Sequence, residues 1–123
     1  MTECVALVMG AGQGTRFGGA TPKQYLALAG EPVIRRALSA FLGHPRVDQV
    51  RAVVHPDHRD LFLAASAGLA CLPFVMGGAT RQESVRRGLE SLVEMRPRLV
   101  LIHDAARPLP DAALISRVLD ALA

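Results

Sequence analysis

Aromatic residues are scarce in this chain of 123 residues, which has four Phe, one Tyr and no Trp. A core without large rings must rest on Val, Leu, Ile and Ala, and such a core suits helices stacked on a parallel sheet. Cysteine is nearly absent too. Cys4 and Cys71 both sit in apolar runs without metal-ligand spacing, which excludes a disulfide framework and predicts reduced thiols in a cytoplasmic protein. No apolar run is long enough to span a membrane, and Met1-Thr2-Glu3 lacks the basic start of a signal peptide. The net charge is only +3, and Arg is scattered rather than clustered, which argues against a nucleic-acid or anionic-membrane surface. A pocket for a small anion needs only two or three cations.

What is present is one domain's worth of chain. With 50% hydrophobic and 20% charged residues it has the balance of a globular domain with a single core. Four short apolar runs read as strands: Cys4 to Met9, Val50 to Val54, Leu72 to Val75 and Leu99 to Ile102. Four helical patterns alternate with them. Val33, Ile34, Ala37, Leu38, Phe41 and Leu42 follow Pro32, placed for a first turn, and Asp57 is positioned to cap a helix carrying Leu61, Phe62 and Ala65. Val85, Leu89 and Leu92 line a third, with Gly88 where helix and sheet come close. Leu114, Ile115, Val118, Leu119 and Leu122 line a fourth, capped by Asp111. The alternation predicts an α/β fold with a mostly parallel sheet flanked by helices, and residues 1–123 read as one nucleotide-binding unit. Ligands of such folds collect beyond the carboxyl ends of the strands, so the segments after the first, third and fourth strands should converge.

The first of these segments is glycine-rich: Gly10, Ala11, Gly12, Gln13, Gly14, Thr15, Arg16, Phe17, Gly18 and Gly19. Closely spaced glycines let backbone N–H groups surround phosphate oxygens. The dinucleotide fingerprint fails at Thr15 or Phe17, and the P-loop spacing finds no Gly-Lys pair. Arg16 and the following Pro22-Lys23-Gln24 instead put two cations at the rim of an amide-lined loop, which suits a triphosphate and the charge that builds during phosphoryl-type transfer. The bland alternative is a loop with solvated charges.

Gly77-Gly78-Ala79-Thr80-Arg81 leads into a helix containing Ser84. Its backbone could read a base edge, with Ser84 adding a hydroxyl, or it is simply a strand-to-helix turn in which Thr80 and Glu83 form a capping box; the two readings are compatible. In His103-Asp104-Ala105-Ala106-Arg107-Pro108, Asp104 is the candidate oxygen ligand for Mg²⁺ on nucleotide phosphates. His103 reads as a packed or hydrogen-bonded ring more readily than as a metal ligand, and Arg107 either holds a substrate phosphate or pairs with Asp104. No nucleophile–base arrangement is legible, which fits transfer to an already ionised phosphate.

Taken in order, Gly12-Gln13-Gly14-Thr15-Arg16, Pro22-Lys23-Gln24-Tyr25-Leu26, Gly77 to Val85 and His103 to Pro108 resemble the 2-C-methyl-D-erythritol 4-phosphate cytidylyltransferases over essentially the whole chain. The resemblance implies a Rossmann-like nucleotidyltransferase fold and the transfer of a cytidylyl group from CTP to methylerythritol phosphate, with Mg²⁺ and release of pyrophosphate. It implies that Arg16 and Lys23 stabilise the transition state, and that Gly10 to Thr15 hold the phosphates and part of the nucleotide. Gly78, Ala79 and Ser84 would recognise cytosine, Ala105 and Arg107 would contact substrate or nucleotide, and Asp104 would lie at the metal edge. Two departures stand out. Met9-Gly10-Ala11-Gly12 replaces the usual Pro-Ala-Ala-Gly, and members of the family are about twice as long, the remaining half supplying a dimerisation arm and part of the alcohol-phosphate site. The chain therefore reads as apparently truncated: a fragment, a truncated product, or the start of a bifunctional enzyme that forms a homodimer at full length. A ribitol 5-phosphate cytidylyltransferase and a CTP-binding fragment without turnover are the alternatives.

Overall fold

The structure, a computed structural model, describes residues 3–12, 21–107 and 110–122. Strand β1 (Cys4–Gly10) is buried along its whole length, as its unbroken apolar run requires. A two-residue hairpin follows, β2 (Ala27–Leu28) and β3 (Glu31–Pro32), then helix α1 (Val33–Leu42). Next come β4 (Gln49–Val54), α2 (Arg59–Ala65), β5 (Val75–Met76), α3 (Arg81–Glu90), β6 (Leu99–Asp104) and α4 (Ala112–Leu122).

The main sheet has the order β5-β4-β1-β6 with every pairing parallel. The chain therefore runs outward from β1 through β4 to β5, then returns to pair β6 on the other side of β1. That reversal creates the crevice at the carboxyl ends where open α/β sheets take ligands. Side chains of β1 alternate between two packed layers. Cys4, Ala6 and Val8 join residues of α1, α2 and α4, whereas Val5, Leu7 and Met9 pack with Val53, Leu92 and Val85 on the α3 side. Both cysteines are free, and burial raises the pKa of each thiol, so both are held in the unreactive protonated form.

The expected α/β alternation is present, with local differences. The third strand is shorter and later than Leu72 to Val75, because Pro73 has no N–H to give a ladder; Leu72 donates to the Val50 carbonyl, and regular pairing begins at Val75. The β2–β3 hairpin escaped the sequence reading. Its turn, Ala29-Gly30, has φ of 53° and 87°, and the alanine carries no turn signal of its own.

Asp57 does not cap α2. It lies inside a 3₁₀ turn, Pro56–His58, whose cap is the His55 imidazole, and that ring accepts the Asp57 N–H at 3.0 Å. Asp111 does cap α4, accepting the Leu114 N–H at 2.7 Å. On α3 the buried stripe is Ser84 and Gly88, so Leu89, one step round, is exposed. On α4 only Ile115 and Leu119 are buried, while Leu114, Val118 and Leu122 face an apolar groove along β6. Gly88 plays its expected part: a Cβ there would stand 3.0 Å from Val53 Cγ2 and 3.1 Å from Leu7 Cδ1.

Candidate active site

Sheet order fixes the order of the site. The loops after β5, β4, β1 and β6 stand side by side, and together they line a cavity of about 370 Å³. Gly78, Ala79, Thr80, Arg81 and Ser84 come from the β5 side, His55 from the end of β4, Met9, Ala11 and Gly12 from β1, and Asp104 from β6. A second cavity of about 450 Å³ shares Met9, Gly12 and Asp104 and adds Lys23, Gln24, Ala106 and Arg107. All four motifs thus contribute residues to this edge.

The Pro22-Lys23-Gln24-Tyr25 segment works as a buttress. Pro22, Gln24 and Tyr25 are buried, and Lys23 alone is exposed, at the second cavity. Gln24 donates its amide N–H groups to the carbonyls of Gly10 at 3.2 Å and Gly12 at 2.9 Å, tying the start of the glycine-rich segment to this turn. The two donors of one amide thus satisfy carbonyls at the end of β1 and two residues beyond it. Tyr25 is an edge-on neighbour of the His58 ring, with centroids 5.7 Å apart. Burial pushes its phenol up to about 12, so it is a neutral core residue.

The segment after β5 is a capped turn and a cavity wall at once. Thr80 Oγ1 accepts the Glu83 N–H at 3.1 Å, and Glu83 Oε2 accepts the Ala79 N–H at 3.3 Å, a capping box shifted by one residue on its return bond. Ser84, 3% exposed, accepts the Gly78 N–H on Oγ at 3.0 Å. Among the described residues its hydroxyl proton meets the Gly78 carbonyl at a distant 3.5 Å. The glycines serve the protein before any ligand. A Cβ on Gly77 would collide with Ala11 Cβ and with Ser84 Oγ, and one on Gly78 with the Glu83 side chain.

At β6, Asp104 Oδ1 lies 2.8 Å from Arg81 Nη1, and its Oδ2 lies 3.6 Å from Arg107 Nε. Of the two readings of Arg107, pairing with Asp104 is therefore realised, although the side chain also lines the second cavity. Ala105 is fully buried, its N–H is spent on the Met9 carbonyl, and it lines neither cavity. Gly10 is likewise buried at the end of β1 and lines neither cavity. His103 packs edge-on against Phe41, 5.5 Å between centroids, and burial lowers its pKa against the opposing pull of Asp104. It is a half-buried ring that lines the apolar groove beside α4 and neither of the two cavities. Gln13, Gly14, Thr15 and Arg16 lie outside the described residues.

No cluster of three or more His, Cys, Asp or Glu exists among the described residues. That excludes a closed all-protein metal cage there, but not a nucleotide-borne Mg²⁺, which needs only one or two carboxylates beside phosphates and water. Asp104 is the carboxylate common to both cavities and fits that requirement. His55 is the cavity residue the sequence did not announce. A lone His before Pro-Asp carries no motif, and only the parallel register of β4 beside β1 brings it to the edge.

The model of the family described as 2-C-methyl-D-erythritol 4-phosphate cytidylyltransferase matches residues 4–123. The "Bifunctional enzyme IspD/IspF" of Rhodospirillum rubrum is 56% identical over 124 residues, covering 100% of this chain and 32% of that protein. Its counterpart in Paramagnetospirillum magneticum is 55% identical over 99% of this chain and 32% of its own length. The chain thus spans about a third of the length of these curated relatives. Among solved structures, a 4-diphosphocytidyl-2C-methyl-D-erythritol synthase from Anaerococcus prevotii superposes with a TM-score of 0.79 at 25% identity, over 98% of this chain and 51% of the other. The bifunctional IspDF of Campylobacter jejuni, at 23% identity and a TM-score of 0.77 over 98% of this chain and 31% of the other, shares the fold. With the parallel sheet and converging loops already described, these matches place the chain in the 2-C-methyl-D-erythritol 4-phosphate cytidylyltransferase family.

Proposed function

We propose that this chain provides the CTP-binding part of an enzyme that transfers the cytidylyl group of CTP to 2-C-methyl-D-erythritol 4-phosphate. The observation that carries the reading is the pair of contiguous cavities: one walled by Gly78, Ala79 and Ser84, of a size for a pyrimidine nucleoside, the other edged by Lys23 and Arg107. The base would take the first, with the Ser84 hydroxyl and the loop backbone reading its edge. The triphosphate would run past Gly12 toward Lys23, and the alcohol phosphate would approach from the Arg107 side.

In the reaction an oxygen of the 4-phosphate attacks the α-phosphorus of CTP. A new P–O bond forms as the bridging α–β P–O bond breaks, and pyrophosphate leaves with that electron pair. The attacking oxygen is already ionised, so no general base is needed; the demand is for alignment and positive charge. Lys23, held at the rim by its buried neighbours Pro22 and Gln24, would offset charge on the equatorial and leaving oxygens. Arg16 joins it in this reading on the strength of its motif position. Asp104 would hold Mg²⁺ carried by the triphosphate, and the ion would add charge neutralisation there. The reading also makes the protein cytoplasmic, in keeping with its free thiols, and homodimeric in the whole enzyme. Among the described residues no helix is long and apolar enough to cross a membrane.

Pyrophosphate release tests the reading. The whole enzyme containing this chain should release it with CTP and methylerythritol phosphate, and faster than with ribitol 5-phosphate. Release favouring ribitol phosphate would reassign the acceptor, and CTP binding without release with either acceptor would reduce the protein to a nucleotide-binding module.

A further inference from the structure

His55 has no part in the motifs above, yet it lines the same cavity as Ala11, Gly78 and Ser84. Its position follows from topology: β4 lies between β5 and β1, so the residue after Val54 stands between the Gly77-Gly78 turn and the start of the glycine-rich segment. The ring is fixed from two sides. Nδ1 accepts the Asp57 N–H at 3.0 Å, and the ring face leans on His58 with centroids 4.7 Å apart and planes tilted by 32°. His58 is itself 8% exposed and set edge-on against Tyr25, so the orientation of His55 is inherited from the core through the same Tyr that closes the Pro-Lys-Gln-Tyr segment. An imidazole whose Nδ1 is an acceptor carries its neutral-form proton on Nε2. His55, with a side chain only 17% exposed, therefore offers the cavity a pre-oriented ring with one N–H donor.

We infer that His55 is a base-binding residue of the nucleotide site, its Nε2–H donating to an acceptor on the pyrimidine and its ring closing that end of the cavity. The inference rests on the proposed function, since it assumes that the cavity takes the nucleoside. Cytosine presents O2 and N3 as acceptors, so a fixed donor suits it, whereas on the proposed reading the phosphates would run toward Lys23, which lines the second cavity and not the one His55 lines. The contact should therefore be felt by the base and not by the phosphates.

Calorimetry with CTP and with inorganic pyrophosphate, on the unmodified chain and on two variants, tests this. H55A removes both the ring and the acceptor for the Asp57 N–H. H55N keeps an acceptor at the same place, because an Asn oxygen bonds the N–H two residues on, and loses only the ring and its donor. Both variants should weaken CTP roughly tenfold, the scale of one buried hydrogen bond with its packing, and leave pyrophosphate within about twofold. In the unmodified chain, CTP should shift the His55 Nε2 resonance and pyrophosphate should not, a readout that needs no variant to fold. CTP binding unchanged in H55N, equal losses for both ligands, or an unmoved Nε2 resonance on CTP addition would each overturn the inference while the proposed function stands. An unmodified chain that binds no CTP would overturn both.

Discussion

Arg81 Nη1 lies 2.8 Å from Asp104 Oδ1, an ion pair that joins the first residue of α3 to the last residue of β6 alongside the cavity. The same carboxylate has Arg107 at 3.6 Å on its other oxygen. Asp104 is therefore a charged group already shared between two cations, and any Mg²⁺ it receives must compete with them. Its removal should act differently with and without metal. In D104N, CTP affinity measured with Mg²⁺ should fall about tenfold, the worth of one charged ligand. In EDTA it should hold or rise, because Arg81 and Arg107 lose their counter-ion. Calorimetry under the two conditions checks this, and equal losses in both would detach Asp104 from the metal.

Lys23 is the exposed member of a buried turn, so its charge can be deleted without disturbing the core. K23A in the whole enzyme should lower kcat by about 100-fold or more, as expected for a lost electrostatic stabiliser, with an unchanged denaturation midpoint. Near-normal turnover would remove Lys23 from its assigned role.

Gln24 is 3% exposed and bonds two carbonyls of the glycine-rich segment. Q24A leaves both carbonyls without that partner and opens a cavity. It should cost about 2–3 kcal/mol of stability in urea and also weaken CTP, since Gly12 would no longer be held at the junction of the two cavities. A loss of stability with full CTP affinity would show that the tie serves folding alone.

Gly77 is an obligatory glycine by packing rather than by backbone angle, because its Cβ would occupy the place of Ala11 Cβ and Ser84 Oγ. G77A should destabilise the fold by about 1–3 kcal/mol through overpacking and push Ser84 from the cavity wall. G88A meets only side-chain methyl groups, at 3.0 and 3.1 Å, and should cost less. Thermal midpoints of the two variants check the order.

Stability should decline in mild acid. Burial lowers the pKa of His58, with the neighbouring His55 adding to the shift, and burial also lowers that of His103. Both rings are thus harder to protonate folded than unfolded, so the unfolded chain binds more protons as pH falls below about 6.5. The stabilising contribution is present above that value and is lost as pH drops through the lower folded values. Urea midpoints at pH 7.5 and 5.5 should differ in that direction, and less so in H58F, which keeps a ring beside Tyr25.

The parallel alternation was legible because β1 and β4 are apolar enough to declare burial on both faces, and because the stripes of α1 and the cap of α4 obey simple spacing rules. Pro73 hid the true start of β5, since its effect depends on which N–H the neighbouring strand needs. Asp57 looked like a cap until the preceding His55 took that place with an imidazole nitrogen, an uncommon capping group. Of the residues that line the two cavities, Lys23, Gly78, Ser84 and Asp104 lie in motifs visible in the sequence. His55 and the tie made by Gln24 were not legible there, because their meaning lies in contacts between β1, β4 and the Pro22 turn that no local pattern records. Ala105 shows the converse: a motif position whose amide the fold itself consumes.

The central claim is that the cavity at the ends of β5, β4, β1 and β6 binds CTP through both base and triphosphate. Isothermal calorimetry of this chain with CTP, and with ATP for comparison, tests it most directly. Saturable binding of CTP, at least tenfold tighter than ATP because groups of the cavity wall placed for the cytosine edge would be left unpaired against adenine, is the expected result. No heat with CTP, or equal affinity for the two nucleotides, would contradict it.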